Sequence, residues 1–457
     1  MKATQLVCLA FASVAFSTAL EPLKKRAVGT ATVRLASPSG TPQQLGSGVL
    51  YGIPITADGS ATMEIPESFY RDIGFNYGRA GGAAWDAPNR GWAFGQTEYP
   101  FRFNAALSNY RTTRNLGAPF FLLPHDLWGI DKGPAPLPGD NGDWSLYDAF
   151  LARLVSDIKR TNIIDGLRID IWNEPDGGGY WPRSQAQYLD MWARTYAYLK
   201  RELPSVPLAG PATAVGPASD NSVFNGWADF VARNGSVPDI YTWHDLDPNR
   251  VPTVSANYFN DLKIRLGLPQ RDIVVNEYLA YAEEGPGVVA WYLGQYERLN
   301  IRGLRANWAK GGENADTLHN LLANLLGPLN HAGPYYPNGE FQVLKYYNNM
   351  RGQRVGTSPA PDSRFEVFAT TDTGIAKILA ATRRNTDIYS ITVTGFNAFG
   401  KQGTVRKRSL GFTWNGILGQ IGNPVDFGVE VHPIVDDSVT FDVYPRSNAE
   451  AYAFEFF

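Results

Sequence analysis

The sequence predicts an α/β fold, in which a closed (β/α)₈ barrel is joined to an accessory antiparallel β-sandwich, and three observations support this. Short apolar runs alternate with amphipathic stretches between residues 46 and 350, the pattern of repeated βα units. These units number eight, and the chain lacks the Gly-rich phosphate-binding turn typical of an open dinucleotide-binding sheet. After residue 350, short β-prone runs separated by turn residues replace the helical stretches.

The barrel elements are predicted to alternate in the order strand, helix. We expect the strands at 48–53, 75–78, 120–123, 167–172, 208–211, 240–243, 273–276 and 304–308. We expect the helices at 66–73, 103–115, 144–162, 184–202, 223–234, 256–266, 287–299 and 316–326. The strand interiors are mostly free of Gly and Pro, as buried parallel strands require.

The sandwich is predicted from residues 351–457 together with the N-terminal segment 27–45. Its strands are expected at 365–369, 376–380, 389–394, 409–412 and 439–444. Residues 30–36 form one more β-prone run, which we expect to pair with the sandwich. The barrel at 46–350 would then be an insertion between two parts of the sandwich.

The first 26 residues have the features of a secretory leader. Residues 1–19 combine an early Lys2, an apolar stretch and small residues at the end, which predicts a signal peptide. Residues 20–26 end in Lys25-Arg26, which resembles a Kex2-type processing site, so the mature chain is expected to begin at Ala27. The apolar stretch is too short for a stable membrane anchor. We therefore expect a secreted, extracellular protein, the alternative being an uncleaved buried helix.

Composition excludes several kinds of chemistry. The formal net charge is −3, and removal of residues 1–26 with their four cations and one anion lowers it to −6. A mildly acidic chain without a basic run lacks the positive surface that nucleic acids require. Cys8 is the only cysteine and lies in the leader, so the mature chain has no disulfide, thiol nucleophile or thiolate ligand.

Metal and cofactor sites are not predicted either. The five histidines form no H-E-x-x-H motif, and no G-x-S-x-G esterase turn occurs. We expect no cofactor, no metal and no membrane partner, and a monomer whose partner is a carbohydrate. One acceptor triplet, Asn234-Gly235-Ser236, predicts N-glycosylation on a surface loop, although such triplets also occur by chance.

Two carboxylates end predicted barrel strands, where the reactive groups of such barrels lie. Glu174 follows the fourth strand in the run Asn173-Glu174-Pro175, and Pro175 ends the strand because it lacks an amide hydrogen. Glu277 ends the seventh strand. A buried aliphatic strand that ends in a carboxylate bears a desolvation cost, which indicates a role in function.

The pair suits hydrolysis of a glycosidic bond with retention of configuration. That reaction needs an acid at the leaving oxygen and a carboxylate about 5 to 5.5 Å away that attacks the anomeric carbon. Strands four and seven face each other across the barrel mouth, so Glu174 is the candidate acid/base and Glu277 the candidate nucleophile. Asn173 is a candidate donor to a sugar hydroxyl.

The run 172–175, Trp-Asn-Glu-Pro, resembles the acid/base motif of clan A glycoside hydrolases, and Glu277 matches the position of their nucleophile. The nearest resemblance is to glycoside hydrolase family 39. It implies a retaining enzyme with a barrel and a β-sandwich, and a His near the end of strand six, where this chain has His244. The chain departs from the family at Asn276-Glu277-Tyr278, where Thr-Glu-Trp is usual, and lacks the usual Tyr after the His.

Further candidates for substrate contact lie at strand ends and in the loops that follow. His125 and His244 are candidates to contact sugar hydroxyls or the nucleophile, with a structural role as the alternative. Arg79 is expected to donate to Glu277 and keep it ionised, unless it forms an ordinary barrel-end salt bridge. Trp308 resembles the floor that the clan places under the reacting sugar, with a core tryptophan as the alternative. The other aromatic candidates are Tyr278 as a contact, and Trp181, Trp144 and Tyr281 as stacking platforms that alternatively pack under their own loops.

The expected mechanism requires Glu174 to be protonated, and we expect its pKa to be raised chiefly by the charge of Glu277. Two further carboxylates, Glu283 and Glu284, are expected to be solvated. Two alternatives stay open: an endo-acting glycanase of another clan A family, and a catalytically inactive relative that binds carbohydrate. The sequence does not reveal which sugar is bound.

Overall fold

The computed structural model describes residues 26–83, 90–132, 135–308, 321–328 and 333–457. The predicted signal peptide, and the propeptide apart from Arg26, lie outside these residues. The first element is the strand β1 (Gly29–Gly40). It precedes the barrel in the chain and pairs only with strands that follow the barrel.

Eight parallel strands close into a barrel, as predicted. In chain order they are β2 (Gly48–Leu50), β3 (Gly78–Ala80), β4 (Phe120–Leu122), β5 (Leu167–Asp170), β6 (Leu208–Thr213), β7 (Ile240–Asp245), β8 (Asp272–Tyr278) and β9 (Arg302–Arg305). The second and last of these differ from the predicted strands 75–78 and 304–308 by two or three residues. Arg79 therefore lies within a strand and not after it.

Seven of the eight predicted helices lie at or near their predicted places around the barrel, and the described residues also contain helices at 124–128 and 339–348 that were not predicted. They are α1 (Glu67–Asp72), α2 (Tyr99–Asn115), α3 (Pro124–Trp128), α4 (Ser145–Thr161), α5 (Gln185–Glu202), α6 (Ser222–Asn234), α7 (Pro252–Leu266), α8 (Pro286–Leu299), α9 (Leu321–Asn324) and α10 (Gly339–Asn348). The helix predicted at 316–326 lies partly outside the described residues. Its described part is the short α9, in which Leu322 and Ala323 have left-handed backbone angles, and α10 is the longer of the two described helices between β9 and the C-terminal sheet.

A two-stranded ribbon, β10 (Leu326–Gly327) and β11 (Tyr336–Pro337), lies between α9 and α10. The remaining strands form the C-terminal sheet: β12 (Gln353–Ser358), β13 (Phe365–Asp372), β14 (Ile375–Thr382), β15 (Tyr389–Thr394), β16 (Thr404–Phe412), β17 (Val425–Pro433), β18 (Ser438–Val443) and β19 (Ala451–Phe456). With β1 they make a nine-stranded sheet in the order β17-β16-β19-β14-β13-β12-β1-β15-β18. β1 lies between β12 and β15, antiparallel to the first and parallel to the second.

The nine-stranded sheet folds back on itself into a sandwich. Phe441 of β18, at one end of the strand order, packs on Phe454 of β19 near the other end, with ring centroids 4.8 Å apart. The side chains between the two layers form an apolar core of their own, to which Val33, Ile378 and Val393 belong. This agrees with the predicted barrel and accessory sandwich.

The other face of the central strands packs on the barrel. Phe368 of β13 and Leu379 of β14 belong to the same buried cluster as the helices around the barrel. The helix α8 is enclosed there, between the barrel and the sheet. The apolar core is therefore continuous from the barrel into the sheet. No helix among the described residues is long and apolar enough to cross a bilayer.

Candidate active site

Glu174 reaches the barrel mouth through a left-handed turn. Its φ angle is +45°, a conformation that costs free energy for a residue with a Cβ and that clusters at functional sites. The amide of Glu174 donates to the carbonyl of Ala212 at 2.8 Å, which attaches this turn to the neighbouring strand β6. The side chain is thereby fixed just beyond the end of β5 and remains half-buried.

Glu277 lies on β8 at an irregularity in the pairing with β7. The register passes from Trp243 opposite Val275 to His244 opposite Glu277, so Asn276 has no partner in the ladder. Such an extra residue changes the alternation of side chains across the sheet. Asn276 and Glu277 consequently both contact the same buried polar cluster, although they are adjacent in the chain.

Arg79 on β3 connects this cluster. It is fully buried and donates to Asp170 through Nε at 3.1 Å and Nη2 at 2.9 Å. It also donates through Nη1 to Oε1 of Glu277 at 2.6 Å and through Nη2 to Asn173 at 2.5 Å. Asn276 adds a hydrogen bond to Asp170. One cation thus orients both Glu277 and the residue that precedes Glu174.

The two candidate catalytic carboxylates lie side by side, with His244 between them. Glu174, His244 and Glu277 each bring one oxygen or nitrogen atom to within 4.8 Å of the others. Nδ1 of His244 hydrogen-bonds Oε1 of Glu174 at 3.0 Å, and its Nε2 lies 3.6 Å from Oε1 of Glu277. This separation fits a retaining mechanism, for which about 5 to 5.5 Å is typical, and is too short for the water of an inverting one.

Each carboxylate keeps one oxygen uncommitted. Oε1 of Glu174 and Oε1 of Glu277 have the partners given above, whereas Oε2 of each makes no hydrogen bond within the described residues. Each Oε2 also remains accessible, since neither atom is fully enclosed by protein. The protein thus fixes each group through one oxygen, and the other is available to a substrate.

Burial governs the protonation of the three groups. It raises the pKa of Glu174, opposed by the positive charges of Arg79 and His125, which corrects the expectation that the charge of Glu277 is the chief cause. Burial also raises the pKa of Glu277, opposed by His244 and Arg79. Burial lowers the pKa of His244 to about 4, so this imidazole is neutral near neutral pH. The charge of Glu174 also raises the pKa of Glu277, whereas the hydrogen bond from Arg79 lowers it.

Asn173 and His125 lie in the predicted place. Asn173 is buried and accepts from Arg79, and its side-chain nitrogen makes no hydrogen bond within the described residues. His125 is buried at the start of α3, and its Nε2 lies 2.9 Å from Asp126. Its ring meets the rings of Trp172 and Tyr180 edge-on. Both residues adjoin the carboxylate pair, and their contact with substrate stays a prediction.

Tyr278 and Trp181 do not face the mouth, so the prediction that they contact substrate is wrong. Tyr278 is fully buried, and its hydroxyl donates to the carbonyl of Gly46 at 2.9 Å. Trp181 packs under its own loop against Trp172, and its indole N–H donates to the carbonyl of Ser184. In both cases the sequence shows a large aromatic ring near the end of a strand, and such a ring can pack in the core instead of facing the barrel mouth.

The remaining aromatic candidates, Trp308, Tyr281 and Trp144, have different surroundings. Trp308 is half-buried three residues beyond the end of β9, donates to the carbonyl of Leu279 at 2.9 Å, and meets the exposed ring of Tyr281 at 5.9 Å. Trp144 is half-buried against the barrel core, with Arg194 over its ring.

Glu283 and Glu284 are not solvated, contrary to prediction. Glu283 is buried and pairs with Arg383 of the C-terminal sheet domain at 2.8 Å. Glu284 has a side chain that is only 6% exposed and lies 3.6 Å from Nη2 of Arg305. A loop bounded by Gly and Pro is usually solvated, but here Arg383 of the second domain covers Glu283. The predicted acceptor Asn234 is exposed at the end of α6, and Ser236 is buried and donates to its side-chain oxygen.

Sequence reasoning missed Asp170, Asn276 as a contributor to the cluster, and Tyr180. Asp170 is a carboxylate inside the apolar strand β5, a signal that a buried cation must lie opposite. Tyr180 is half-buried beside His125, and burial followed by the charges of Glu174 and Glu277 raises the pKa of its phenol. No pattern distinguished Tyr180 from its neighbour Trp181 beforehand.

Glu174, His244 and Glu277 have the spacing of metal ligands. However, the guanidinium of Arg79 already occupies one oxygen of Glu277, and a divalent cation placed among the three would lie close to that positive charge. The donor set therefore fits proton transfer and nucleophilic attack better than metal binding.

No protein-family model matches the sequence, and no curated protein sequence matches it. Solved structures do resemble it along nearly the whole chain. N2152 from Neocallimastix frontalis is 18% identical with a TM-score of 0.74, covering 94% of this chain and 99% of that one. A monomeric beta-xylosidase from Caulobacter crescentus CB15 is 14% identical (TM-score 0.56, 94% and 99% covered). The GH39 enzyme from Xanthomonas axonopodis pv. citri is 12% identical (0.56, 94% and 98%). These likenesses establish the shared two-domain fold.

Proposed function

We propose that this protein is a retaining glycoside hydrolase that cleaves O-glycosidic bonds by double displacement. The observation that carries the proposal is the carboxylate pair at the ends of the fourth and seventh barrel strands, within 4.8 Å and each with one free oxygen. The fold shared with a beta-xylosidase and a GH39 enzyme supports the same reaction class. A shared fold alone does not determine function, so the proposal rests mainly on the geometry of the carboxylate pair.

In the first step, Oε2 of Glu277 attacks the anomeric carbon while Glu174 donates its proton to the departing oxygen. The glycosyl group is then bonded to Glu277, whose negative charge is consumed. The neighbouring Glu174 is ionised at this stage and takes a proton from water, which attacks the same carbon and releases the sugar. The hydrogen bond from Arg79 to Oε1 keeps Glu277 oriented throughout, and neutral His244 fixes Oε1 of Glu174.

The acid/base assignment is tested with Glu174→Gln. Activated aryl glycosides need little help from an acid, so this variant should retain the first step on them and lose turnover of glycosides with poor leaving groups. Azide, which needs no general base, should restore turnover of the activated substrate. Loss of both steps with no azide rescue would contradict the assignment.

The nucleophile assignment is tested with a 2-fluoro-glycoside of an activated leaving group. Peptide mapping should find the added mass on Glu277, and Glu277→Ala should abolish turnover of every substrate. Glu67→Gln, which changes an exposed carboxylate of α1, is the matched control and should behave as wild type. Turnover by Glu277→Ala would overturn the proposal. Saturable sugar binding without any turnover in the wild-type protein would instead favour a carbohydrate-binding protein.

The substrate we propose is a plant or microbial polysaccharide or its oligosaccharides. The names of the similar structures include a beta-xylosidase and a family 30 xylanase from Clostridium acetobutylicum, and family 39 remains our specific assignment within the clan. A screen of aryl glycosides and polysaccharides tests both. Activity on internal bonds of a polysaccharide alone would favour an endo-acting glycanase.

We further propose that the protein is secreted as a monomer after removal of residues 1–26. The support is the order of charge, apolar run and cleavage site in residues 1–19, followed by Lys25-Arg26. N-terminal sequencing of protein from a fungal culture medium should begin at Ala27, and light scattering should give the mass of one chain. A shift in mass on deglycosylation, absent in Asn234→Gln, tests the acceptor site.

A further inference from the structure

A second cleft opens between the barrel and the C-terminal sheet domain. Its volume is about 870 Å³, and it is lined by Tyr281, Ala282 and Glu284 of the loop after β8 and by residues 414–419 of the loop after β16. Tyr281 follows the proposed nucleophile Glu277 by four residues in the chain, a reach of at most about 14 Å for extended backbone. One wall of the cleft is therefore within about 14 Å of Glu277, a separation that a short oligosaccharide can span.

Aromatic and apolar surface is exposed on both sides of this cleft. The ring of Tyr281 is 55% exposed and is supported edge-on by Trp308. Across the cleft, Trp414 is half-buried, and its indole nitrogen makes no hydrogen bond within the described residues. Leu418 beside it is 42% exposed. A folded protein does not gain stability from leaving such side chains in water, so their exposure indicates a binding surface.

The sheet-domain side of the cleft is held firmly against the barrel. Asn338, which caps α10, donates to the carbonyl of Ile417 at 3.1 Å, and Gln342 donates to the carbonyl of Ile421 at 2.9 Å. The amide of Ile421 donates to the carbonyl of Pro337 at 2.9 Å. The loop that carries Trp414 is thus anchored to the barrel. Binding of a ligand therefore does not cost the conformational entropy of ordering this loop.

The lining also indicates which sugars fit. Pyranoses whose hydroxyls are equatorial, such as glucose and xylose, present flat faces of C–H groups that pack on aromatic rings. The described lining contains no Lys or Arg, and its one carboxylate, Glu284, faces Arg305. Among the described residues of the lining, a chain of uronic acids would therefore find no cation, whereas a neutral chain needs none.

We propose that this cleft binds one unit of a neutral, gluco- or xylo-configured oligosaccharide while another unit of the same sugar chain occupies the carboxylate pair. The inference rests on the proposed glycoside hydrolase function and extends it: the sheet domain contributes directly to substrate binding, and the preferred substrate is a chain longer than a disaccharide. Trp414 and Tyr281 are the binding residues of this cleft.

The test compares Trp414→Ala with wild type on an aryl monoglycoside and on xylo- and cello-oligosaccharides of two to six units. The ratio of kcat/KM for the longer oligosaccharides to that for the aryl monoglycoside should fall about tenfold, which corresponds to about 1.4 kcal/mol. Tyr444→Ala, which removes an exposed ring elsewhere on the sheet domain, is the matched control and should leave the ratio unchanged. An unchanged ratio in Trp414→Ala would overturn the proposal.

A binding measurement separates this inference from the proposed function. In Glu277→Gln, which should not turn substrate over, calorimetric affinity should rise with oligosaccharide length, and adding Trp414→Ala should remove the gain. If wild-type protein proves inactive but this length dependence is present, the cleft is supported and hydrolysis is not. If the wild type is active and no length dependence is found in either sugar series, the cleft proposal fails alone.

Discussion

Arg79 determines how the charges of the candidate site are divided. It shares its guanidinium between Asp170 and Glu277, so the cation is balanced by two carboxylates, and Glu174 receives no direct cationic partner. A buried carboxyl without a direct cationic partner protonates more readily than one with such a partner. Arg79 thereby favours ionisation of Glu277, the proposed nucleophile, over that of Glu174, the proposed acid.

This division predicts the pH dependence of kcat/KM. Activity requires Glu277 ionised and Glu174 protonated, so it should fall at acid pH as Glu277 gains its proton and at alkaline pH as Glu174 loses its own. Burial raises the pKa of Glu174, which moves the alkaline limb above the ordinary range of a glutamate. In Glu174→Gln, assayed with an activated glycoside and azide, the alkaline limb should disappear. If the alkaline limb persists in this variant, it reports the titration of a group other than Glu174.

Arg79→Lys should show what the guanidinium contributes beyond its charge. A lysine ammonium cannot reach Asp170, Asn173 and Glu277 together, so Glu277 should lose its hydrogen bond and its pKa should rise. We expect kcat/KM to fall roughly 10- to 100-fold, as for loss of a hydrogen bond to a charged group.

The acid limb of the pH profile in Arg79→Lys should also move to higher pH, which a purely structural loss would not produce. The same substitution at exposed Arg194 is the control. An acid limb at the wild-type position would show that Arg79 does not tune Glu277.

The residues that could be predicted are those whose role is visible in a local pattern. Glu174 and Glu277 were visible as carboxylates at the ends of apolar runs, and His244 and Arg79 as polar residues near the ends of such runs. Asp170 and Tyr180 were missed because their roles depend on partners far away in the chain: Asp170 needs Arg79 and Tyr180 needs His125. A single sequence does not show which distant residue a buried carboxylate meets.

At the scale of elements, the predicted alternation of strands and helices is confirmed, whereas the predicted boundaries are less accurate. Apolar residues continue past the ends of several strands, and pairing stops earlier: the run predicted at 48–53 pairs only as Gly48–Leu50. In the sheet domain, β12, β17 and β19 were not predicted. The strand β19 shows no polar alternation because its alanines face the barrel and its aromatic rings face the sandwich core.

The contact of α8 with the sheet depends on a residue without a side chain. A Cβ on Gly294 would lie 2.5 Å from Cγ of Glu366, whose carboxylate is buried and paired with Arg298. Gly294→Ala should therefore destabilise the fold by about 1–3 kcal/mol, the usual cost of overpacking a core. Denaturant unfolding measures this. Gly422→Ala, where a Cβ meets nothing, is the control. Equal midpoints would contradict the tight approach of α8 to β13.

At the scale of the whole molecule, the sheet domain holds the loops that follow the catalytic strands. Arg383, just after β14, pairs with Glu283 of the loop after β8. It also donates to the carbonyls of Asp247 and Arg250 in the loop after β7. The strands β7 and β8 carry His244 and Glu277, so one side chain of the second domain joins both of their loops.

Arg383→Gln should therefore weaken both stability and catalysis. It leaves Glu283 buried without its close cation, and breaking a buried pair in this way costs about 3–5 kcal/mol. The adjacent Arg384 is largely exposed and lies 3.8 Å from the same carboxylate, so Arg384→Gln is the matched control, with an expected effect below about 0.5 kcal/mol. Denaturant midpoints and kcat/KM measure the difference. If both variants behave alike, the loops do not depend on Arg383.

The place of β1 inside the sheet has a consequence for biosynthesis. Thr32 pairs with Ser358, so the first strand leaves the ribosome long before its antiparallel neighbour exists. At about 5–20 residues per second, translation of the intervening chain takes roughly 15 to 65 s. During that interval the nascent strand has two unpaired edges, which invites misassociation. A chaperone that shields this segment until the C-terminal half emerges should raise the yield of native protein more than one acting on the barrel.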